Sequence, residues 1–354
     1  MVQPSISSIK YFIKEKMLYL FSRSKYLGKF FYCFLSREMD AEFHAVINGR
    51  YQYHKSLRKV GSNSALLRRN IHRVEKGLIM KPRKAVFAES YILETVDAFG
   101  RQVAREQGSS PLELRWARDV LDNYFAIVAP TPKVSKAHEL YIALCNTYHE
   151  LLSIPVQPLL QVDKLRPYPR SLAPKLSTSY EDFETLCLRR RSVRWYLNRS
   201  IPASLVRQAA NVASFAPSAC NRQPYKFVFT NDKDKVQRIA ACVSGTKGFV
   251  DNIPAIITVV GDLSAYPFER DRHLIYVDSS LASMQFMLAL ECLGLSSCPI
   301  NWPDVSLNDY KIKKILSLEE YERVIMLIAV GYADHDGQIP YSQKKQDKFL
   351  FNEV

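Results

Sequence analysis

Apolar residues change their spacing twice along this chain. From Ile9 to Phe34 the residues Ile9, Phe12, Ile13, Met17, Leu20, Phe21, Leu27, Phe30, Phe31 and Phe34 recur at helical spacing. Lys10, Lys14, Lys16, Arg23, Lys25 and Lys29 stand between them. A basic, aromatic-rich helix of this kind either lies in a membrane interface or packs its apolar face on the rest of the protein. Both readings of residues 9–35 stay open. Leu66 to Leu78 predicts a second helix, with Arg69, Arg73 and Lys76 on one face, Glu75 able to pair with a neighbouring base, and Gly77 as its C-cap. Met80-Lys81-Pro82-Arg83 then leaves as an extended turn. Residues 89–107, 111–128 and about 135–152 read as three further helices, the first two separated by Gly108-Ser109-Ser110-Pro111. Residues 1–152 are therefore expected to form a helical N-terminal region.

Pro155, Pro158, Pro167, Pro169 and Pro174 interrupt residues 153–178, which read as a linker. Ser179 is a candidate N-cap for a helix carrying Phe183, Leu186 and Cys187, and it opens a second domain over 179–354. There the spacing alternates between strand and helix. Tyr225–Thr230, Ala255–Gly261 and Val324–Val330 read as strands. Lys233–Val243, Asp278–Leu293 and Leu307–Leu316 read as helices, the second rich in small residues that permit close helix contact.

Composition narrows the function classes. The 354 residues are 47% hydrophobic and 24% charged, enough for two domains and too apolar for wholesale disorder. No apolar run approaches the roughly 18 to 20 residues of a membrane span. Seven scattered cysteines without a Cys-x-x-Cys pair fit a reducing compartment, and no metal-ligand spacing stands out. A cytoplasmic location without a secretory signal is the expectation. The net charge of +14 invites a nucleic-acid partner, yet the basic residues form no known nucleic-acid module. An anionic cofactor and an anionic membrane surface account for the excess as well.

The chemistry concentrates in two segments. Arg189-Arg190-Arg191-Ser192-Val193-Arg194 can bind a dianionic phosphate through bidentate, charge-assisted bonds. Ala216-Pro217-Ser218-Ala219-Cys220-Asn221-Arg222-Gln223-Pro224 is a rigid polar turn with donors and acceptors for a ring edge. In this order and at this separation the pair resembles the FMN-dependent nitroreductase family, whose pattern reads Arg-Arg-Ser-x-Arg and then Ala-Pro-Ser-x-x-Asn-x-Gln-Pro. A third segment, Gly294-Leu295-Ser296-Ser297-Cys298-Pro299-Ile300-Asn301, resembles the family's Gly-Leu-Gly-Ser stretch. The resemblance covers about residues 180–354.

The resemblance implies an α+β, nitroreductase-like fold, a dimer with a central, mainly antiparallel sheet flanked by helices. It also implies FMN as cofactor, with NAD(P)H as electron donor in ping-pong hydride transfer to a nitro, quinone or other conjugated acceptor. Arg190, Arg191, Ser192 and Arg194 match the first FMN motif, with Arg194 near the ring edge that gains negative charge on reduction. Pro217, Ser218 and Asn221 match the second, which in the family reaches the flavin of the partner chain. Pro299, Ile300 and Asn301 are the candidates for main-chain contact with the ring. Lys344 and Lys345 stand where the family more often has an arginine closing on the phosphate, and lysine lacks the planar fork. Cys220 is not expected to act as a nucleophile, since no histidine lies near it in sequence to activate it. Tyr266, Phe268, Arg270 and Arg272 are candidates for a lid. Two other readings remain: an FMN-dependent oxidase or dehydrogenase of one dedicated metabolite, and a membrane or protein docking module with a secondary flavin domain.

Overall fold

The computed structural model describes residues 6–57, 64–105, 110–157, 162–345, 350–351 and 353, with side chains from residue 12 onward. Gly108 and Ser109 of the predicted turn, Pro158 of the predicted linker, and the side chains of Ile9 and Lys10 lie outside the described residues.

Among the described residues the N-terminal half is helical: α1 (Ile6–Ser22), α2 (Lys25–Phe30), α3 (Asp40–Ser56), α4 (Ala65–Leu78), α5 (Ile92–Val103), α6 (Pro111–Phe125), α7 (Pro132–Thr147) and the short α8 (His149–Leu152). A single π-helical turn, Phe31–Leu35, follows α2. Helices α4 to α8 close around Leu67, Ile71, Val74, Ile92, Phe99, Leu121 and Tyr124. The α6 and α7 starts follow the chemistry of their first turns: Ser110 and Thr131 accept from backbone N–H groups, and proline occupies the first helical position of each.

One expectation fails here. Gly77 does not cap α4, which continues to Leu78. A Cβ at Gly77 would stand 2.3 Å from the Phe87 ring, so the glycine answers a close packing contact inside the helix. Among the described side chains, the apolar residues of α1 and α2 stand largely open to solvent. Phe12, Ile13, Leu20 and Phe34 are exposed, and the principal ring contacts of the arm are internal, Phe21 with Phe30 and Phe31.

Helix α3 behaves differently from its neighbours, because its core is shared with the C-terminal half. Ala45 packs with Leu263, Ala265, Tyr266 and Ile275. Gly49 lets the helix touch that turn, where an added Cβ would meet Leu263 at 2.6 Å. Arg323 seals the contact from below: its side chain is 2% exposed and lies 3.4 Å from Glu42, 2.6 Å from Asp304 and 3.1 Å from Asp309.

Residues 162–178 contain only a short 3-10 turn, Arg170–Leu172. Ser179 then caps α9 (Tyr180–Arg189) in a reciprocal capping box with Asp182. The remaining elements are α10 (Ala203–Ala213), β1 (Tyr225–Thr230), α11 (Lys233–Ala240), β2 (Ala255–Asp262), α12 (Leu274–Cys292), β3 (Ser296–Asn301), α13 (Ser306–Leu316) and β4 (Glu322–Gly331). The four strands form one antiparallel sheet in the order β1-β2-β4-β3. The two faces of β2 read out the strand period. Ile256 joins Val236, Ile239 and Ala240 of α11 on one side, while Ala255, Ile257 and Val259 join Ala209, Ala282 and Phe286 on the other. The result is an α+β fold with helices on both faces of an antiparallel sheet. Strand β3, expected only as a flavin-contacting segment, forms one edge of the sheet.

Candidate functional site

The arginine-rich segment leaves α9 in extended conformation and runs beside the free edge of β3. Ser192 bridges Ser297, and the Val193 N–H donates to the Ser297 carbonyl at 3.1 Å. The first and third sequence segments are thus neighbours in one chain. Arg190 is half-buried, and its Nε has no acceptor among the described residues. Ser297 is fully buried, and its Oγ likewise has no partner. Arg191 donates to the Pro340 carbonyl at 2.7 Å and also to the Tyr341 carbonyl. It thereby holds the segment that leads to Lys344 and Lys345, both of which are exposed. Arg194 donates to its neighbour's carbonyl, Ser192, at 3.3 Å and lies over the Phe249 ring.

Glu291, at the C-terminal end of α12, faces the same cluster. Its Oε2 is 3.6 Å from Arg189 Nε, and its Oε1 is buried without a donor. Burial pushes this carboxyl above its ordinary pKa, against the pull of Arg189 and Arg190. Cys298 is buried and its thiol is likewise pushed up, which disfavours thiolate chemistry there.

The edge position decides what residues 299–301 can offer. In an antiparallel ladder the backbone groups of alternate residues face opposite sides. Ser297 faces outward, so Pro299 and Asn301 do too, whereas Ile300 pairs inward with Leu327. Pro299 carries no N–H and is tolerated because the edge asks for none. It cannot be the main-chain donor that the resemblance implied. Asn301 has the outward-facing N–H among the three.

The proline-serine loop is built around a residue that the sequence reading did not single out. Asp278 of α12 is 2% exposed, and its Oδ2 accepts from Ser218 Oγ at 2.7 Å and from the Ala219 N–H at 3.0 Å. Ser218 Oγ in turn accepts from the Gln223 N–H at 2.8 Å, and Gln223 Nε2 donates to Asn221 Oδ1 at 3.0 Å. These bonds hold Cys220, Asn221 and Gln223 at φ of 54°, 52° and 50°, left-handed conformations that non-glycine residues avoid. The only sequence signal for Asp278 was an acid inside an otherwise apolar helical run.

A second clamp comes from the helical half. Arg68 of α4 donates from Nε to the Asn221 carbonyl at 2.8 Å and from Nη1 to Glu113 of α6 at 3.0 Å. Beside Arg68 on the same helix, Asn70 donates to Glu94 of α5 at 2.9 Å. Arg73 lies 3.7 Å from the Tyr91 ring centre. Beside the loop runs a groove of about 750 Å³ whose walls include Arg68, His72 and Trp116 on one side and Phe215, Pro217 and Ser218 on the other. Of the candidate lid residues, Tyr266 is 1% exposed and belongs to the core, so it is no lid.

Comparison with known proteins bears on the segment containing these features. The nitroreductase family model matches residues 188–247 and 241–332. Residues 188–332 belong to the nitroreductase family. This nitroreductase half is 29% identical over 148 residues to a protein of Archaeoglobus fulgidus named as an NADH dehydrogenase/NAD(P)H nitroreductase, a match covering 40% of this chain and 80% of that one. An iodotyrosine deiodinase of Haliscomenobacter hydrossis is 28% identical over 189 residues, covering 44% and 81%. An FMN-dependent nitroreductase structure from Clostridium difficile superposes on 48% of this chain and 98% of its own, with 23% identity and a TM-score of 0.41. The family match begins beyond the helical half, which stands outside it.

The donor set fits an FMN phosphate. Arg190 Nε and Ser297 Oγ, on the two segments joined at the Ser192–Ser297 bridge, are buried donors without acceptors among the described residues, a chemistry that suits a phosphate. No group of histidine, cysteine and carboxylate side chains suited to a metal ion occurs among the described residues.

Proposed function

We propose that this chain is an FMN-dependent oxidoreductase working as a homodimer, each of its two flavin sites completed by the other chain. The observation that carries this reading is a separation along α12. One chain anchors the Pro217–Asn221 loop at Asp278 and the Arg190–Ser297 cluster near Glu291. The two positions are thirteen residues apart on one helix, or about 20 Å at 1.5 Å per residue. A second copy brings its loop to the first chain's cluster. The surface for that contact is present: Val277, Leu281 and Met284 form an exposed apolar stripe along α12.

In this arrangement Arg190, Arg191 and Ser192 hold the phosphate and ribityl end, with Lys344 and Lys345 closing from the C-terminal segment. Arg194 faces the ring edge, Asn301 offers its N–H from β3, and the partner chain supplies Pro217, Ser218 and Asn221. FMN supplies the two-electron chemistry between NAD(P)H and an acceptor when it is bound. The chain's own residues bind it, fix its ring and exclude water. Nitro and quinone compounds are the first acceptors to screen, and the deiodinase relatives add iodinated phenols. The groove walled by α4 and α6 favours a second reading, an oxidase or dehydrogenase of one dedicated metabolite. All seven cysteines are free, in keeping with a cytoplasmic location.

Purification with added FMN tests the proposal. The expected protein is yellow, dimeric by light scattering, and oxidises NADH or NADPH when an acceptor is present. Arg190→Ala removes one charge-assisted phosphate contact and is expected to weaken FMN binding about ten- to a hundredfold. Met284→Glu is expected to give a monomer that has lost tight FMN binding. A flavin-free protein, or a monomer that keeps tight FMN binding, overturns the proposal. A yellow protein that ignores both nicotinamides supports the second reading.

A further inference from the structure

A cavity of about 430 Å³, sharing Arg68, Glu113 and Gln223 with the groove beside the loop, lies between the helical half and the nitroreductase half, walled by α4, α6 and the 222–224 and 262–265 segments. Its charged lining consists of Arg68, Arg105, Arg222, Glu113 and Asp262. Arg68 and Glu113 satisfy each other at 3.0 Å. Asp262 Oδ1 accepts from the Ser264 N–H at 2.8 Å, and burial pushes its carboxyl above the ordinary range.

Arg222 has no such partner. The residue is 8% exposed, and its Nε is buried without an acceptor among the described residues. Its one side-chain hydrogen bond among the described residues, from Nη1 to the Ala219 carbonyl, is stretched to 3.5 Å. The Tyr266 ring lies 5.0 Å away and offers a weak cation–π contact. A buried guanidinium is strongly disfavoured unless an anion and hydrogen-bond acceptors complete its shell. Arg105, half-buried at the same wall, adds a second cation with no carboxylate within ion-pair distance among the described residues.

We propose that this cavity binds a small molecule through a terminal carboxylate or phosphate, with Arg222 as the principal ligand and Arg105 as the second cation. The guanidinium carries parallel N–H donors, the geometry that either oxyanion accepts side-on. The volume lies within the range of small-molecule sites, so the anion is one end of a larger ligand. The position also connects the site to the loop described above. Arg222 stands between Asn221 and Gln223, both held at positive φ, and Arg68 on the cavity wall bonds the Asn221 carbonyl. An anion on Arg222 therefore stiffens the segment that the flavin site uses.

Calorimetric titration of full-length, FMN-saturated protein with inorganic phosphate, and separately with malonate, reads the site. Saturation with FMN keeps the probe from the Arg190 cluster. The expected result is saturable binding of at least one anion, weakened about tenfold or more in Arg222→Gln. Preference between phosphate and malonate identifies the head group. Where Arg222→Gln does not fold, Arg105→Gln decides in its place, since that side chain is half-buried and bonds nothing structural among the described residues. No saturable binding of either anion overturns the proposal, as does unchanged affinity in the deciding variant. Should the protein take up no FMN, the flavin reading fails, while the titration with these variants still reads the Arg222 cavity.

Discussion

Replacing Asp278 with alanine tests whether the proline-serine loop is held in place by one buried acid. The loop places Cys220, Asn221 and Gln223 in left-handed backbone, at about 1 to 2 kcal/mol for each non-glycine residue and less for asparagine. With asparagine at the lower cost, the sum is about 2 to 5 kcal/mol. Opposing it, Asp278 accepts two hydrogen bonds, from Ser218 Oγ and the Ala219 N–H, each charge-assisted and worth about 1.5 to 3 kcal/mol. The two terms nearly balance, so the loop conformation is marginal once the acid is removed. Asp278→Ala is expected to lower unfolding free energy by about 2 to 4 kcal/mol, part of the loss being recovered as the loop relaxes. FMN affinity should fall at least about tenfold because Pro217, Ser218 and Asn221 are no longer presented together. Asp278→Asn keeps an acceptor oxygen and should lose only about 1 to 2 kcal/mol. Urea unfolding with an unchanged slope, paired with a flavin fluorescence titration, measures both quantities. A change below about 0.5 kcal/mol with unaltered FMN affinity would show that the loop is fixed by something else.

Two further outcomes follow from the packing. Gly49→Ala places a methyl 2.6 Å from Leu263 and 2.7 Å from its carbonyl oxygen, and should cost about 1 to 3 kcal/mol in a thermal melt while FMN remains bound. A full melting temperature in that variant would mean that α3 is not seated on the 263–265 turn. The exposed aromatic arm with its lysines predicts sedimentation of the full-length protein with vesicles rich in phosphatidylserine, reversed by salt. Protein that stays in the supernatant with anionic and neutral vesicles alike would assign the arm to a protein surface instead.

What the sequence disclosed depended on the range of the forces involved. Ser179 and Asp182 make their capping box within one turn, and the β2 run is apolar on both faces because helices cover both, so each left a local signal. Strand β3 left none. Ser296-Ser297-Cys298-Pro299 has weak strand propensity, and its proline is permitted only because it faces an open edge, a fact of the sheet and not of the segment. Gly77 misled for a related reason. A glycine near a helix end usually stops it, but here the cause is a phenylalanine ten residues on whose ring needs the space. At the candidate site the arginine, serine and asparagine residues were visible as a motif. Their supports were not: Asp278 lies sixty residues from Ser218, and Arg68 lies 153 residues from Asn221.

Those two supports approach the loop from opposite sides, and this bears on why the helical half exists. Asp278 belongs to the nitroreductase half and fixes the start of the loop, at Ser218 and Ala219. Arg68 belongs to the helical half and fixes its middle, at the Asn221 carbonyl. Arg68 is itself held by Glu113 and lies over Trp116, so its position reports the packing of α4 against α6. A docking module joined by a linker would leave the Pro217–Asn221 loop untouched. Here a single guanidinium couples the helical core to the loop that the proposed partner chain needs, and the groove beside that contact is shaped by both halves. The helical half is therefore better understood as a wall of the candidate site than as a tether, and whatever enters the groove meets Trp116 and His72 on one side as it meets Pro217 on the other.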